Sequence, residues 1–194
     1  MNPYIENLQN IPETLQRLPQ WVVWGVPGHP TKCPVNPVTM NRAKAGQPET
    51  WGTFEQAAAS VRSGQAQGVG FEFHNTGIVG LDLDTIRDPA SGKIAECAMQ
   101  IVRGLNSFTE ISQSGYGLHI FCMGDIPLEG NKSKLPPNSI KRPEIDVKTG
   151  EVKCDPKTGQ PRFKTPEIEI YHQGRYFAMT GDLFVEALPE IPRP

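Results

Sequence analysis

GIVGLDLD, residues 77–84, alternates aliphatic and acidic side chains at the end of a run that otherwise reads as protein core. Successive side chains of a strand point to opposite faces, so Val79, Leu81 and Leu83 share one side while Ile78, Gly80, Asp82 and Asp84 share the other. Packing the apolar set under helices leaves both acids on the second face. At a rise of about 3.3 Å per residue they stand about 6.5–7 Å apart, within reach of two divalent cations about 3.5–4 Å apart. The stretch predicts a strand in a sheet with one covered face and one open face.

The neighbouring segments extend that sheet. GVGFEF (68–73) reads as a strand joined to 77–84 through the turn-forming His74-Asn75-Thr76, and QWVVWGV (20–26) reads as a buried strand before a Pro-rich loop. Thr53 and Gln56 form a capping box for a helix with Phe54, Ala57, Ala58 and Val61 on one stripe and Gly64 at its end. A second helix, Lys93 to Leu105, carries Ile94, Cys97, Ala98, Ile101 and Val102 on one stripe with its stop at Gly104. SFTEIS (107–112) and GLHIFCM (117–123) flank a QSGY turn, and PEIEIYH and RYFAMTG form a last hairpin around Gln173-Gly174. This order predicts an α+β fold, a sheet with helices on one face, and no internal repeat.

A chain of 194 residues with 37% hydrophobic content supports one domain with a real core, and a net charge of -2 excludes nucleic-acid binding through overall positive charge. Cys33, Cys97, Cys122 and Cys154 form no C-x-x-C pair, which argues against a zinc knuckle or disulfide framework and for reduced thiols. With no basic-then-apolar N-terminus and no apolar run of about 18 residues, a cytoplasmic protein without a membrane span is expected.

In PEIEIYH the same alternation puts Glu167, Glu169 and Tyr171 opposite Ile168, Ile170 and His172, and in GLHIFCM it puts His119 with Phe121 and Met123. A lone D-x-D is more often a solvated rim or a cap, and a lone strand histidine is more often structural. The joint phase of Asp82, Asp84, His119 and Glu169, all exposed toward one face, is what points to a site.

GLDLD, SQSGYGLHIF and EIEIYHQGRYFAMTG, in this order, resemble the three motifs of the archaeo-eukaryotic primase superfamily, especially the primase-polymerase (Prim-Pol) domains of phages and plasmids. WVVWG, TKCPVNP and ETWGTFEQA also resemble the N-terminal part of those domains, so the resemblance runs from Trp21 to Phe184. It implies an RRM-like catalytic sheet with an N-terminal α/β unit, in a catalytic domain of residues 1–184, while VEALPEIPRP (185–194) reads from its composition as a Pro-rich tail or linker. The resemblance also implies that Asp82, Asp84 and Glu169 bind two Mg²⁺ or Mn²⁺ ions and that Ser114 and His119 contact nucleotide phosphates. Glu169 stands where Asp is commoner, which keeps the charge and an oxygen ligand.

The implied activity is template-directed nucleotidyl transfer by a DNA primase or polymerase in replication of a phage, plasmid or other mobile element. The implied partners are single-stranded DNA, nucleoside triphosphates and a helicase domain or protein. Nucleotidyl transfer suits hard oxygen ligands. Gly115 and Gly117 would let backbone N–H groups approach the triphosphate, with His119 or Arg175 adding hydrogen bonds or charge and Lys32 a further cation.

The excursion 130–166 has nine basic residues against four acidic ones, and the resemblance implies that it is an insertion relative to shorter members of the family. Lys132, Lys134, Lys141 and Arg142 within it could follow template phosphates, or the whole stretch could be a solvated loop with its own hairpin. A catalytically degenerate nucleic-acid-binding module is the main alternative. A replication-initiator nuclease would need a His-hydrophobic-His motif, which Ile120 and Phe121 after His119 do not supply, and a D-x-D glycosyltransferase gives SGYGLH and EIEIY no role.

Overall fold

The computed structural model describes residues 2–74, 76–126, 132–146 and 148–192. Asn75 of the expected turn and residues 130, 131 and 147 of the excursion lie outside them. Two short helices, α1 (Pro3–Asn7) and α2 (Glu13–Gln16), precede β1 (Trp21–Trp24) and α3 (Phe54–Arg62). Then come β2 (Gly68–His74), β3 (Ile78–Asp84), α4 (Glu96–Leu105), β4 (Thr109–Ile111), β5 (Leu118–Met123), β6 (Lys132–Lys134), β7 (Glu167–Tyr171) and β8 (Gln173–Ala178). The fold is α+β, as expected.

The strands make two antiparallel sheets rather than one, in the orders β1-β2-β8 and β4-β5-β3-β7-β6. The expected last hairpin is therefore absent as a pair: β7 joins β3 and β6, whereas β8 joins β2. Strand propensity and turn residues mark where a strand begins and ends, but pairing partners here are set by packing between distant segments. One core holds Trp21, Val23, Phe71, Phe73 and Phe177 of the smaller sheet, the α3 stripe, and Ile78 and Phe121 of the larger.

β3 thus lies between two cores. Val79, Leu81 and Leu83 pack with Leu118 and Ile120 beneath Ala98 and Val102 of α4. On its other face, Ile78 and Gly80 are covered by the smaller sheet, so the expected open face is open only toward Asp82 and Asp84. Gly80 permits this approach, since a Cβ there would meet the rings of Phe73 and Phe177.

α3 carries the expected capping box, with Gln56 N donating to Thr53 Oγ1 at 3.3 Å and Thr53 N donating to Gln56 Oε1 at 2.9 Å. α4 starts at Glu96, not Lys93, because Ile94 is held in a bridge to Arg87. It runs through Gly104 and stops on Asn106, whose φ of 42° is left-handed.

The excursion contains a short repeat that contradicts the expectation of none: Asp-x-Lys-Thr-Gly at 146–150 and again at 155–159. In each copy the Asp carboxylate accepts backbone N–H groups two and three residues on, from Lys148 and Thr149 and from Lys157 and Thr158. Gly150 and Gly159 then take positive φ. All four cysteines are free thiols. Among the described residues no helix is long and apolar enough to cross a membrane.

Candidate active site

The register of the larger sheet lines up five polar side chains in one row, one from each strand: Glu110, His119, Asp82, Glu169 and Lys132. Directly cross-strand residues share a face, so the phase expected for Asp82, His119 and Glu169 holds. A second row contains Asp84, Glu167 and Lys134.

At one end of the first row Glu110 is fully buried. One of its carboxylate oxygens pairs with His119 Nδ1 at 3.0 Å, and the other accepts from Thr180 N at 3.0 Å and Gly181 N at 2.8 Å. His119 stacks on Phe177 and turns Nε2 to within 3.8 Å of Asp82 Oδ1. Burial alone would lower the His119 pKa, but the hydrogen bond to Glu110 and the charges of Asp82 and Glu110 outweigh it and raise it.

The three candidate carboxylates differ in environment. Asp82 has its pKa raised, first by burial and further by Asp84 and Glu169, against the opposing pull of His119. Asp84 accepts from Arg142 Nη1, and Lys164 Nζ lies 3.5 Å from its other oxygen. Glu169 accepts from Lys132 Nζ at 2.9 Å and from the Tyr171 hydroxyl at 2.8 Å, with Arg175 at 3.9 Å. Burial would raise its pKa, but these partners outweigh it and lower it. Lys132 also pairs with Glu167 at 2.7 Å.

Among the described residues no three His, Cys, Asp or Glu side chains converge closely enough to hold a metal ion as they stand. Asp84 and Glu169 are each turned toward basic partners. Their donor type nevertheless fits Mg²⁺ or Mn²⁺, which take carboxylate oxygens, and the repulsion from Asp84 and Glu169 that adds to burial in raising the Asp82 pKa is what a bound cation would relieve.

The SGYG turn closes the side of the site. Ser114 Oγ lies 3.2 Å from Ser112 Oγ, Gly115 has φ +74°, and Arg87, which sequence reasoning missed, donates to the Gly115 carbonyl at 2.9 Å. Gly117 lies against β3, because a Cβ there would meet the Leu83 carbonyl oxygen. Immediately after Asp84 the chain turns through Thr85 at φ 59°, a strained conformation for a β-branched residue.

A cleft of about 450 Å³ gathers Asp82, Asp84, Glu169, Ser114, His119, Lys32, Arg175, Lys132 and Arg142, all singled out in the sequence. It also takes in Lys164, Glu167, Tyr176 and Phe177, which were not assigned there. Tyr176 donates to the Lys32 carbonyl at 2.6 Å, tying the 30–35 loop to β8. Gly115, Gly117, Lys134 and Lys141, also singled out in the sequence, are not among the lining residues; Lys134 is exposed on β6, and Lys141 sits over the Phe163 ring at 5.6 Å. The one strong signal that could have revealed Glu110 is its phase within SFTEIS, since its neighbours Thr109 and Ile111 take the other face.

Fold and site together define an α+β protein whose antiparallel sheet floors a polar cleft edged by carboxylates and cations. No family model matches the chain. It is similar to the DNA primase-polymerase of Nitratiruptor phage NrS-1, with 30% identity over 173 residues, 89% of this chain. The chain spans 20% of the length of that curated relative. The similarity supports a relationship to primase-polymerases.

Proposed function

We propose that this chain is the catalytic domain of a template-directed DNA primase-polymerase serving replication of a phage, plasmid or other mobile element. The observation that carries the reading is the shared face of Asp82, Asp84 and Glu169 beside His119 in one cleft. Asp82, Asp84 and Glu169 are the residues that would hold Mg²⁺ or Mn²⁺. When bound, such ions supply the positive charge that acidifies an attacking 3′-hydroxyl and neutralises departing pyrophosphate.

The protein's own groups do the remaining work. Glu110 orients His119 so that Nε2 faces the cleft, where it can hydrogen-bond a nucleotide phosphate. Ser112, Gln113 and Ser114 line the same side, and Arg175 of β8 and Lys32 of the loop tied to that strand supply positive charge. The nucleotide is a nucleoside triphosphate, the template is single-stranded DNA, and a helicase domain or protein is the fitting replication partner.

The test is incubation with a single-stranded template, Mn²⁺ and labelled nucleotides, with and without primer. Incorporation is expected in the wild type and its loss in Asp82→Ala and Asp84→Ala, with folding retained in both. Wild-type incorporation rates in either variant would end the carboxylate assignment. A second reading, a nucleic-acid-binding module without chemistry, is favoured by one observation: Arg142 and Lys164 already pair with Asp84, and Lys132 with Glu169. It predicts template binding without incorporation in the same assay.

A further inference from the structure

The excursion reaches into the cleft rather than away from it. Its Arg142 side chain is only 17% exposed, pairs with Asp84, and lies over the Tyr116 ring of the SGYG turn at 5.4 Å. The segment that carries it is tied down. Asn138 Nδ2 donates to the Thr85 carbonyl at 3.0 Å, Ile140 is buried, and Lys164 N donates to the Arg142 carbonyl at 2.9 Å. Lys164 in turn reaches the second oxygen of Asp84.

Five basic residues and four carboxylates line the cleft, so its charges nearly balance. Asp84 cannot serve fully as an oxygen donor to a divalent cation while also accepting from Arg142 and Lys164. Any cation that takes Asp84 leaves those two groups in need of an anion, next to the turn assigned to nucleotide phosphates. Arg142 suits that role because its planar fork matches phosphate oxygens, and stacking on Tyr116 keeps it oriented when Asp84 lets go.

We infer that Arg142 and Lys164 bind the polyphosphate of the incoming nucleotide, exchanging Asp84 for phosphate oxygens as the carboxylate takes a divalent cation. The excursion is then a wall of the nucleotide site, and Arg142 leaves the set of residues expected to follow the template. This rests on the nucleotidyl-transfer reading and adds to it the residues that hold the triphosphate.

The test combines Arg142→Gln and Lys164→Gln and measures three affinities. The probes are Mn²⁺ alone, inorganic tripolyphosphate or a non-hydrolysable deoxynucleoside triphosphate with Mn²⁺, and a labelled oligothymidine. Both phosphate probes should bind about tenfold more weakly or worse. Mn²⁺ alone should bind at least as tightly as to wild type, because two competitors for Asp84 are gone, and the oligonucleotide should be unaffected.

Unchanged tripolyphosphate affinity overturns the inference, whether or not oligonucleotide binding falls, and weaker Mn²⁺ binding overturns the exchange. Arg142→Lys, which keeps the charge and loses the fork, should show an intermediate loss, and no loss in that variant is equally adverse. A wild-type protein that binds neither phosphate probe removes the nucleotidyl-transfer reading as well, whereas a variant indistinguishable from a binding wild type removes this inference alone.

Discussion

Glu110 does to His119 what a strand position cannot do by itself: it selects which ring nitrogen faces the cleft. Its carboxylate is held by two backbone N–H groups and faces Nδ1, so the Nδ1 proton is stabilised and Nε2 is presented outward. Glu110→Gln can keep the two N–H bonds through its oxygen while turning its amide toward Nδ1. The expected result is a folded protein in which nitrogen NMR shows Nδ1 without its proton and nucleotide affinity is reduced. A still-protonated Nδ1 would show that Glu110 does not set it. Glu72 makes a different prediction. It is buried, among the described residues neither of its oxygens has a hydrogen-bond partner, and burial lifts its pKa to about 7 against the partial opposition of Arg175. The folded state therefore holds this proton more tightly than the unfolded chain does. Stability should be full below the ordinary carboxylate range and should fall as pH rises toward about 7, by roughly 3 kcal/mol at about 1.4 kcal/mol per tenfold change in proton affinity. Urea melts across that window should show the slope in wild type and its absence in Glu72→Gln.

At the level of the element, β3 carries the site because each of its faces is committed to a different core. Gly80→Ala should push Phe73 and Phe177 away and destabilise the protein by about 1–3 kcal/mol in urea unfolding; an unchanged midpoint would mean that the sheets can separate freely there. The same strand shows what was legible beforehand. A period of two is a local property, so the common face of Asp82, Asp84, His119 and Glu169 could be read from three short segments. The α3 stripe and its cap were legible for the same reason. What escaped depended on distant partners. Glu110 matters through Thr180 and Gly181, some 70 residues away, and the division into two sheets follows from which aromatic residues meet. Lys164 and Arg142 approach Asp84 on irregular backbone, where no periodicity announces a direction.

For the whole molecule, the basic residues of the excursion fall into two groups. Arg142, Lys132 and Lys164 serve the cleft, while Lys134 and Lys141 remain outside it as candidates for the template path. Lys134→Ala with Lys141→Ala should flatten the salt dependence of single-stranded DNA binding by up to about 0.7 log units for each phosphate the protein ceases to neutralise. Titrations at several salt concentrations would measure this, nucleotide affinity should stay put, and an unchanged slope would move the template elsewhere on the surface. The crossing of the chain between sheets carries a further consequence. Tyr171 ends the strand that floors the cleft and Gln173 begins the strand that walls it, with one residue between them. A second crossing joins β2 to β3. Floor and wall are thus stitched together twice at one end, and the core they share, with Phe121 of the floor sheet against Phe73 and Phe177 of the wall sheet, opposes their parting like the jaws of a two-lobed enzyme. Traffic into such a cleft is governed at its rim, by charged side chains trading partners, and not by a hinge.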